Sequence, residues 1–271
     1  MIIDLFHKAG TWVKAILPLY LFTMTPLLCS CDNMEREDRL IYEKPAAAKR
    51  AVLLEDFTGQ RCINCPTATD VISELQQTYG EDVVIAVGIH GGKLGFSGNA
   101  TTIGLATEVG NEYYDHWKLE YQPVGLVNRH SPVDYPQWAA AVKEELTQAA
   151  PLNLTATATM VTDGNITITI EAYGTDGTTT GKLQVWLLED NITALQLMPD
   201  GTANRNYVHH HVLRTPVNGT WGEDFTISEG DTKQLEFTQS ISNNWDTRNL
   251  SIVAFVYNDN GVQQVTKTKV E

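Results

Sequence analysis

The sequence is poor in cysteine, in positive charge and in long apolar runs, and each shortage excludes a class of protein. Four cysteines in 271 residues are too few for a disulfide scaffold. Lys and Arg number 19 against 33 Asp and Glu, a net charge of −14, so the chain lacks the basic surface that nucleic-acid binding requires. Beyond the N-terminal segment, no apolar run approaches the roughly 20 residues of a membrane-spanning helix. We therefore expect no nucleic-acid partner and no internal membrane span.

The composition that is present favours a folded protein. Hydrophobic residues make up 42% of the chain and charged residues 19%, which is enough apolar material for a substantial packed core. The length suits about two domains of roughly 100–150 residues each.

The first 30 residues resemble a bacterial lipoprotein signal peptide. Lys8 and Lys14 provide its positive region, and residues 15–28 form an apolar stretch too short to span a bilayer. The stretch leads into Leu-Cys-Ser-Cys, where Ser30 is the small residue that a lipobox requires before the modified cysteine. We therefore expect cleavage after residue 30 and lipidation of Cys31, which would anchor the protein to the bacterial membrane. An ordinary cleaved signal peptide with incidental cysteines is the alternative.

Residues 31–49 are expected to form a solvated tether between the lipid and the first domain. The segment is rich in charge and nearly free of large apolar side chains. Four acidic residues crowd behind the expected lipid site, at Asp32, Glu35, Glu37 and Asp38. In some Gram-negative groups such a cluster resembles a signal for export to the outer leaflet of the outer membrane. A cell-surface location and a plain linker on the periplasmic side both stay open.

The pattern between residues 50 and 150 is typical of an α/β domain. Apolar runs at 51–57 and 83–89 predict buried strands, and apolar residues at helical spacing in 67–79 predict a helix between them. A strand, a helix and a strand in this order imply a parallel pair with a right-handed crossover. The remaining elements are expected as helices at 105–117 and 135–149 and a strand at 124–128.

The strongest chemical candidate is the pair Cys62 and Cys65, which lies between the first strand and the first helix. In an exported protein, a strand, a CxxC pair and a helix in this order are typical of thiol–disulfide redox sites. The helix N-terminus would favour the thiolate of Cys62, and Arg61 adds a positive neighbour that would lower the thiol pKa further. We expect Cys62 to be the exposed, attacking thiol and Cys65 to be the shielded one that resolves the mixed disulfide.

Two other interpretations of the cysteine pair have to be weighed. A structural disulfide stays an open alternative to an active dithiol. A zinc site is disfavoured, because the sequence offers no second ligand pair at suitable spacing.

Residues 56–65, DFTGQRCINC, resemble the active-site segment of the thioredoxin superfamily. The resemblance implies that Asp56 is a buried acid that assists proton transfer. An acid at the end of the strand that caps the following turn is the alternative for Asp56. The resemblance also implies that Pro123 follows a cis peptide bond and faces the disulfide. Arg61 stands where the superfamily usually has Trp, and Ile-Asn replaces Gly-Pro between the cysteines, which leaves the redox direction and the partner open.

Within this superfamily, the chain is similar to the outer membrane protein 28-related lipoproteins. The shared features are a lipobox, a two-domain layout and three segments: LLEDFTGQRCINCP at 53–66, QPVGLVNR at 122–129, and YVHHHVLR at 207–214 with the WGE that follows it. The resemblance implies a thioredoxin-like domain, a C-terminal β-sandwich and an outer-membrane location. It implies no established activity.

From residue 151 onward the sequence changes to short alternating segments separated by Asp-Gly and Asn-Gly turns. Strands are expected at 152–156, 165–170, 182–188, 209–213, 234–237, 250–257 and 263–270. Short strands with such turns indicate an antiparallel β-sandwich over residues 151–271, of the immunoglobulin-like kind.

Three consecutive histidines, His209, His210 and His211, form an unusual polar cluster in this half. On a strand, His209 and His211 would share a face and could hold a metal. They are a weak candidate metal site, because no carboxylate is close in the sequence. A polar strand that packs on the other domain is the favoured interpretation.

Two classes of function follow from the sequence. The first is an outer-membrane-anchored thiol–disulfide oxidoreductase that acts on thiols of exported proteins and requires no cofactor. The second is a non-enzymatic surface protein that binds ligands or has a structural role, in which the CxxC pair is a structural disulfide.

Overall fold

The structure, a computed structural model, describes residues 43–161 and 164–271. The predicted signal segment, the lipobox and most of the tether lie outside the described residues. Residues Glu43–Glu271 form one compact unit. Across the described ranges, no helix is both long and apolar enough to cross a membrane.

The described residues form three α-helices and sixteen strands. The helices are α1 (Cys65–Tyr79), α2 (Glu108–His116) and α3 (Trp138–Glu145). The first eight strands are β1 (Ala48–Lys49), β2 (Val52–Thr58), β3 (Val84–His90), β4 (Val124–Val127), β5 (Val133–Asp134), β6 (Ala149–Ala150), β7 (Leu152–Val161) and β8 (Asn165–Gly174). The other eight are β9 (Thr178–Glu189), β10 (Ile192–Leu197), β11 (Ala203–His209), β12 (Val212–Pro216), β13 (Glu223–Ser228), β14 (Thr232–Ser240), β15 (Leu250–Asn258) and β16 (Gly261–Lys269).

The main sheet contains strands from both halves of the chain. Its order is β16-β15-β9-β12-β3-β2-β4-β5, and β13 pairs along β9. The predicted parallel pair is present as β2 and β3, which sets Asp56 beside Gly88 and Thr58 beside His90. β12 joins the two halves by pairing with β3 at Val212. The sheet therefore continues across the boundary expected after residue 150, and the division of the chain into two domains there stays a prediction.

One core lies between the main sheet and the helices α1 and α3. Val52 and Leu54 of β2 pack there with Ile72 and Leu75 of α1 and with Trp138 of α3. The opposite face of β2 and β3 packs on a separate apolar cluster that also contains residues of α2, β9 and β15. These central strands are apolar on both faces for this reason, as strands of a covered sheet are.

The helices differ from the predicted ones at their ends. α1 begins at Cys65, two residues earlier than predicted, because Pro66 fits in the first turn, where N–H groups have no partner within the helix. It ends before Gly80, as expected. The Gly80 backbone has φ of 102° and its N–H donates to the carbonyl of Gln76. The helix predicted at 135–149 is a 3₁₀ turn at Tyr135–Gln137 followed by the shorter α3.

A second core lies between two sheets. The strands β9 and β15 of the main sheet face the three-stranded sheet β14-β8-β7. Along β8, Ile166, Ile168 and Ile170 are fully buried, while Thr167 between them is exposed. This period of two is what the sequence predicts for a strand with one buried face. The protein is therefore mostly β-sheet, with an α/β arrangement at its start.

The structure contains a hairpin of β10 and β11 that the sequence analysis did not predict. Its strands are antiparallel, with Ile192 opposite His209. A small apolar cluster joins its base to the rest of the molecule and consists of Leu105, Ile192, Ala194 and Val212. We call residues 192–209 the covering hairpin, because β10 lies against the turn that carries the cysteines.

Candidate functional site

A disulfide joins Cys62 and Cys65, whose Cα atoms are 5.4 Å apart. Cys65 is the first residue of α1, and Cys62 lies in the turn between β2 and α1. Cys62 is 1% exposed and Cys65 is 2% exposed. The expectation that Cys62 is the exposed thiol at the start of the helix is therefore wrong. The helix begins three residues later, and other segments cover the turn.

The covering hairpin provides much of this cover. The side-chain amide of Gln196 donates to the carbonyl oxygens of Cys62 at 2.8 Å and of Gly59 at 3.3 Å. The backbone N–H of Leu197 donates to the carbonyl of Gln60 at 2.9 Å. The Gln60 side chain, itself buried, donates to the carbonyl of Leu195. The turn is thus fixed to a segment more than 130 residues away in the chain.

A loop packs against the same turn from another side. Gly59 has no room for a side chain, because a Cβ there would lie 2.4 Å from the carbonyl oxygen of Leu94. The Arg61 N–H donates to that carbonyl at 3.0 Å. The Arg61 guanidinium lies over the ring of Phe96, 5.0 Å from its centroid, so its charge is engaged with an aromatic face. Ile63, 44% exposed, is the large apolar side chain of the turn that faces solvent.

Asp56 is buried on the face of β2 that packs toward α1, and it lines one cavity together with Cys65. Burial raises the pKa of the Asp56 carboxyl to about 7. Within the described chain, its Oδ1 atom has no hydrogen-bond partner. A buried acid of this kind can hold or release a proton near neutral pH. Asp56 and Cys65 thus line the same cavity, and a role of Asp56 in proton transfer at the cysteine pair stays a prediction.

The Gln122–Pro123 peptide bond is cis, as the resemblance to the thioredoxin superfamily implies. The Gln122 side chain donates to the carbonyls of Thr58 at 2.6 Å and Gly91 at 3.2 Å, and it accepts from the Leu94 N–H. Gln122 therefore ties the segment before β4 to the end of β2. Pro123 itself is buried and is not part of the cavity lining that holds Asp56 and Cys65.

The cavity behind the disulfide has a volume of about 520 Å³ and is lined by residues of both halves of the chain. His90 of β3 and His209 of β11 lie in its wall with their rings 5.4 Å apart. Burial lowers the pKa of His209 to about 4 and places that of His90 well below its ordinary value. Both imidazoles are therefore neutral at pH 7. Tyr207, stacked edge-on to His209 at 4.8 Å, completes this part of the wall.

The histidine cluster does not form one strand. β11 ends at His209 and β12 begins at Val212, because His211 has a left-handed backbone with φ of 57°. His211 Nδ1 lies 3.0 Å from Asp190 and 3.3 Å from the amine of Lys267. The expectation that His209 and His211 share a strand face is therefore wrong. Among the described residues, no three His, Cys, Asp or Glu side chains are arranged to hold a metal ion.

The Asp190 carboxylate is the partner of His211 that the sequence did not suggest. Burial by itself would raise the Asp190 pKa. The hydrogen bond from His211 and the positive charge of Lys267 outweigh burial and lower that pKa below its ordinary value. Asp190 is therefore ionised at neutral pH and holds the turn between β11 and β12.

Sequence reasoning missed Gln60, His90, Gln196 and Tyr207 as parts of the site. A signal for the covering hairpin was available in the Asp-Gly turn at 200–201, which follows a segment with apolar residues at positions 192, 194, 195 and 197. Nothing in the sequence pattern shows that this hairpin lies against residues 59–62.

The fold and the site define a β-rich protein with an α/β start and one buried disulfide beside a polar cavity. A model of the family described as outer membrane protein Omp28 matches residues 110–271. The chain belongs to the Omp28 family, which confirms the resemblance stated from the sequence and locates the protein in the outer membrane. No curated protein matches the chain significantly.

Two solved structures from Porphyromonas gingivalis are similar to this chain. HBP35 is 16% identical and aligns over 83% of this chain and 77% of its own length, with a TM-score of 0.62. This likeness shows a shared fold. A domain of the outer membrane lipoprotein Omp28 is 29% identical over 45% of this chain and 89% of its own length, with a TM-score of 0.33.

Proposed function

We propose that this protein is a lipid-anchored, non-enzymatic lipoprotein of the outer membrane, with a binding or structural role. In this proposal the Cys62–Cys65 disulfide is a structural cross-link. The observation that carries it is the burial of both cysteines, each at most 2% exposed. An exchanging disulfide needs an accessible sulfur for the incoming thiolate.

The fold supports a thioredoxin-like assignment for residues 50–150. β2, α1 and β3 form a parallel strand–helix–strand unit, Cys65 is the first residue of α1 with Cys62 in the turn before it, and a cis proline precedes β4. For residues 151–271, two sheets that share one core support an immunoglobulin-like sandwich. The proposed lipid anchor is Cys31, on a signal peptide of residues 1–30 and a tether of residues 31–49.

A second candidate function is thiol–disulfide exchange with exported proteins. Asp56 favours it, because a buried acid with a pKa of about 7 behind Cys65 could accept or return a proton. Exchange would then require the covering hairpin to move away from Cys62, since Gln196 holds that residue in the closed arrangement.

The rate of disulfide reduction separates the two candidates. We would treat the full-length protein with dithiothreitol at increasing urea concentrations and follow free thiols by alkylation and mass spectrometry. A structural cross-link should react only as fast as the protein unfolds, with a reduction potential below about −300 mV. Rapid reduction in the native protein, with a higher potential, would contradict the structural proposal.

A partner-trapping experiment tests the second candidate directly. Cys65→Ser in cells would leave Cys62 to hold partner proteins as mixed disulfides, whereas Cys62→Ser would leave only the shielded Cys65. Partners that accumulate with Cys65→Ser, and not with Cys62→Ser, would establish exchange through Cys62.

A further inference from the structure

Four buried polar side chains in the cavity have an atom with no hydrogen-bond partner among the described residues. The atoms are Asp56 Oδ1, His90 Nδ1, His209 Nε2 and Ser251 Oγ. All four residues line the cavity, and each is at most 6% exposed. An unsatisfied buried polar group destabilises the folded state, and native proteins contain few of them. Four around one cavity indicate a site that a ligand completes.

The partners that these atoms require can be read from their chemistry. The His209 ring is neutral at pH 7, and its Nε2 atom has no hydrogen-bond partner among the described residues. A neutral imidazole has one accepting and one donating nitrogen, so His209 is able to accept a hydrogen bond from a ligand. The Asp56 carboxylate also accepts, and neutral His90 has one accepting nitrogen. An ionised Asp56 therefore requires a ligand that donates hydrogen bonds, and His90, His209 and Ser251 can each accept from the same ligand.

The charged side chains that line the cavity indicate what kind of hydrogen-bond donor the ligand carries. The cations that line the cavity are Lys267, which pairs with Asp190 at 3.4 Å, Arg248, which pairs with Asp246 at 2.7 Å, and Lys269, which is exposed. The Asp56 carboxyl is deeply buried without a cation beside it, which is a costly place for a negative charge. A positively charged ligand would compensate Asp56, whereas an anion would meet a buried acid and two neutral imidazoles.

We propose that the cavity binds a small organic cation whose protonated amine pairs with the Asp56 carboxylate, while His90, His209 and Ser251 hydrogen-bond the ligand. The volume of about 520 Å³ lies in the range of small-molecule sites. A metal ion fits less well, because the described residues offer no three-ligand cluster. The site does not depend on whether the disulfide is structural or exchanged.

Three probes of equal length test the proposal on the full-length protein: butylammonium, butyrate and 1-butanol. Binding is followed by NMR through the ring protons of His90 and His209, assigned with His90→Gln and His209→Gln. Butylammonium should shift both sets of ring signals in a saturable way, and butyrate and butanol should not. Binding of the three probes is compared on the wild-type protein, so the result does not depend on whether a variant binds. The comparison therefore decides whether the cavity prefers an amine.

A pair of variants tests the role of the carboxylate. Asp56→Asn should weaken butylammonium binding by at least about tenfold, because a hydrogen-bonded charge pair is lost. Asp115→Asn makes the same chemical change on an exposed residue of α2 outside the cavity and should leave binding unchanged. Thermal unfolding of each variant would confirm that it is folded.

Other outcomes would overturn the proposal. Butyrate that binds as well as butylammonium would make the cavity an anion site or an unselective one. Saturable binding of Zn²⁺ or Ni²⁺ at His90 and His209 without butylammonium binding would make it a metal site. Absence of saturable butylammonium binding to the wild-type protein would exclude an amine site.

Discussion

The side-chain amide of Gln196 donates a hydrogen bond to the carbonyl oxygen of Cys62, although the two residues are 134 positions apart. Gln196 is 2% exposed and Cys62 is 1% exposed, so the bond is shielded from water. It makes the environment of the cysteine pair depend on a hairpin from the second half of the chain. Any chemistry at the disulfide is therefore controlled from outside the segment that contains it.

Replacement of Gln196 should loosen this cover. Gln196→Ala leaves the carbonyls of Cys62 and Gly59 without that donor, so we expect a loss of about 1–3 kcal/mol in the free energy of unfolding. The disulfide should also be reduced faster by dithiothreitol in the native protein. Urea denaturation and thiol alkylation measure the two effects. Gln234→Ala, at an exposed position of β14, is the control, and equal reduction rates in both variants would refute the covering role.

Removal of the disulfide should destabilise the protein moderately. The cross-link closes a loop with a sequence separation of 3, for which the chain-entropy relation gives about 2 kcal/mol. Cys62→Ser/Cys65→Ser and reduced wild-type protein should therefore show similar losses in guanidinium denaturation. A double variant as stable as the oxidised protein would show that the disulfide is not a structural cross-link.

Asp56 should make stability depend on pH. Burial raises its folded-state pKa from 3.8 to about 7, so between these values the unfolded chain releases a proton that the folded chain retains. The free energy of unfolding should fall as pH rises through this window, by at most about 1.4 kcal/mol per pH unit, and level off above it. Asp56→Asn should remove this slope, and Asp115→Asn should keep it. Identical pH profiles for wild type and Asp56→Asn would contradict the prediction.

Arg129 should be one of the most sensitive positions in the core. Its guanidinium bonds the fully buried Glu55 at 3.3 Å and lies over the rings of Tyr257 and Phe255, 4.3 and 4.7 Å from their centroids. Arg129→Ala would leave Glu55 buried without its counter-charge, so we expect a loss of about 3–5 kcal/mol. Chemical denaturation measures it.

A second variant separates charge from packing at the same place. Glu55→Gln/Arg129→Met removes both charges and keeps most of the volume, and it should recover much of the stability that Arg129→Ala loses. If the double variant is as unstable as Arg129→Ala, the aromatic contacts of the guanidinium rather than the buried charge dominate.

Cys31 should carry the lipid. Cys31→Ala should move the protein from the detergent phase to the aqueous phase in detergent partitioning, or leave its signal segment uncleaved. Cys29→Ala is the matched control and should partition like wild type. Protease treatment of intact cells then tests surface display, because a protein on the periplasmic side would stay protected.

The sequence by itself determined the elements whose signal lies in consecutive residues. The runs that became β2 and β3, the helical spacing of α1 and the alternation along β8 each reflect burial of one repeating face or of both. Such periods can be read without knowledge of distant neighbours. The family resemblance added the cis bond before Pro123 and a buried acid at Asp56, and both are present.

Only the tertiary structure decided how these elements meet. β11 is mostly polar and half exposed, so its sequence shows no strong period, and its position over the cysteine turn rests on hydrogen bonds to residues far away in the chain. The same is true of the contact of His90 with His209 and of Arg129 with Phe255 and Tyr257. These contacts depend on which strands become neighbours in the sheet. The pairing of β12 with β3 joins the two halves of the chain and thereby determines the order of the neighbouring strands. Local periodicity specifies a strand and its buried face, whereas the free energy of the whole packed core selects the strand's partner.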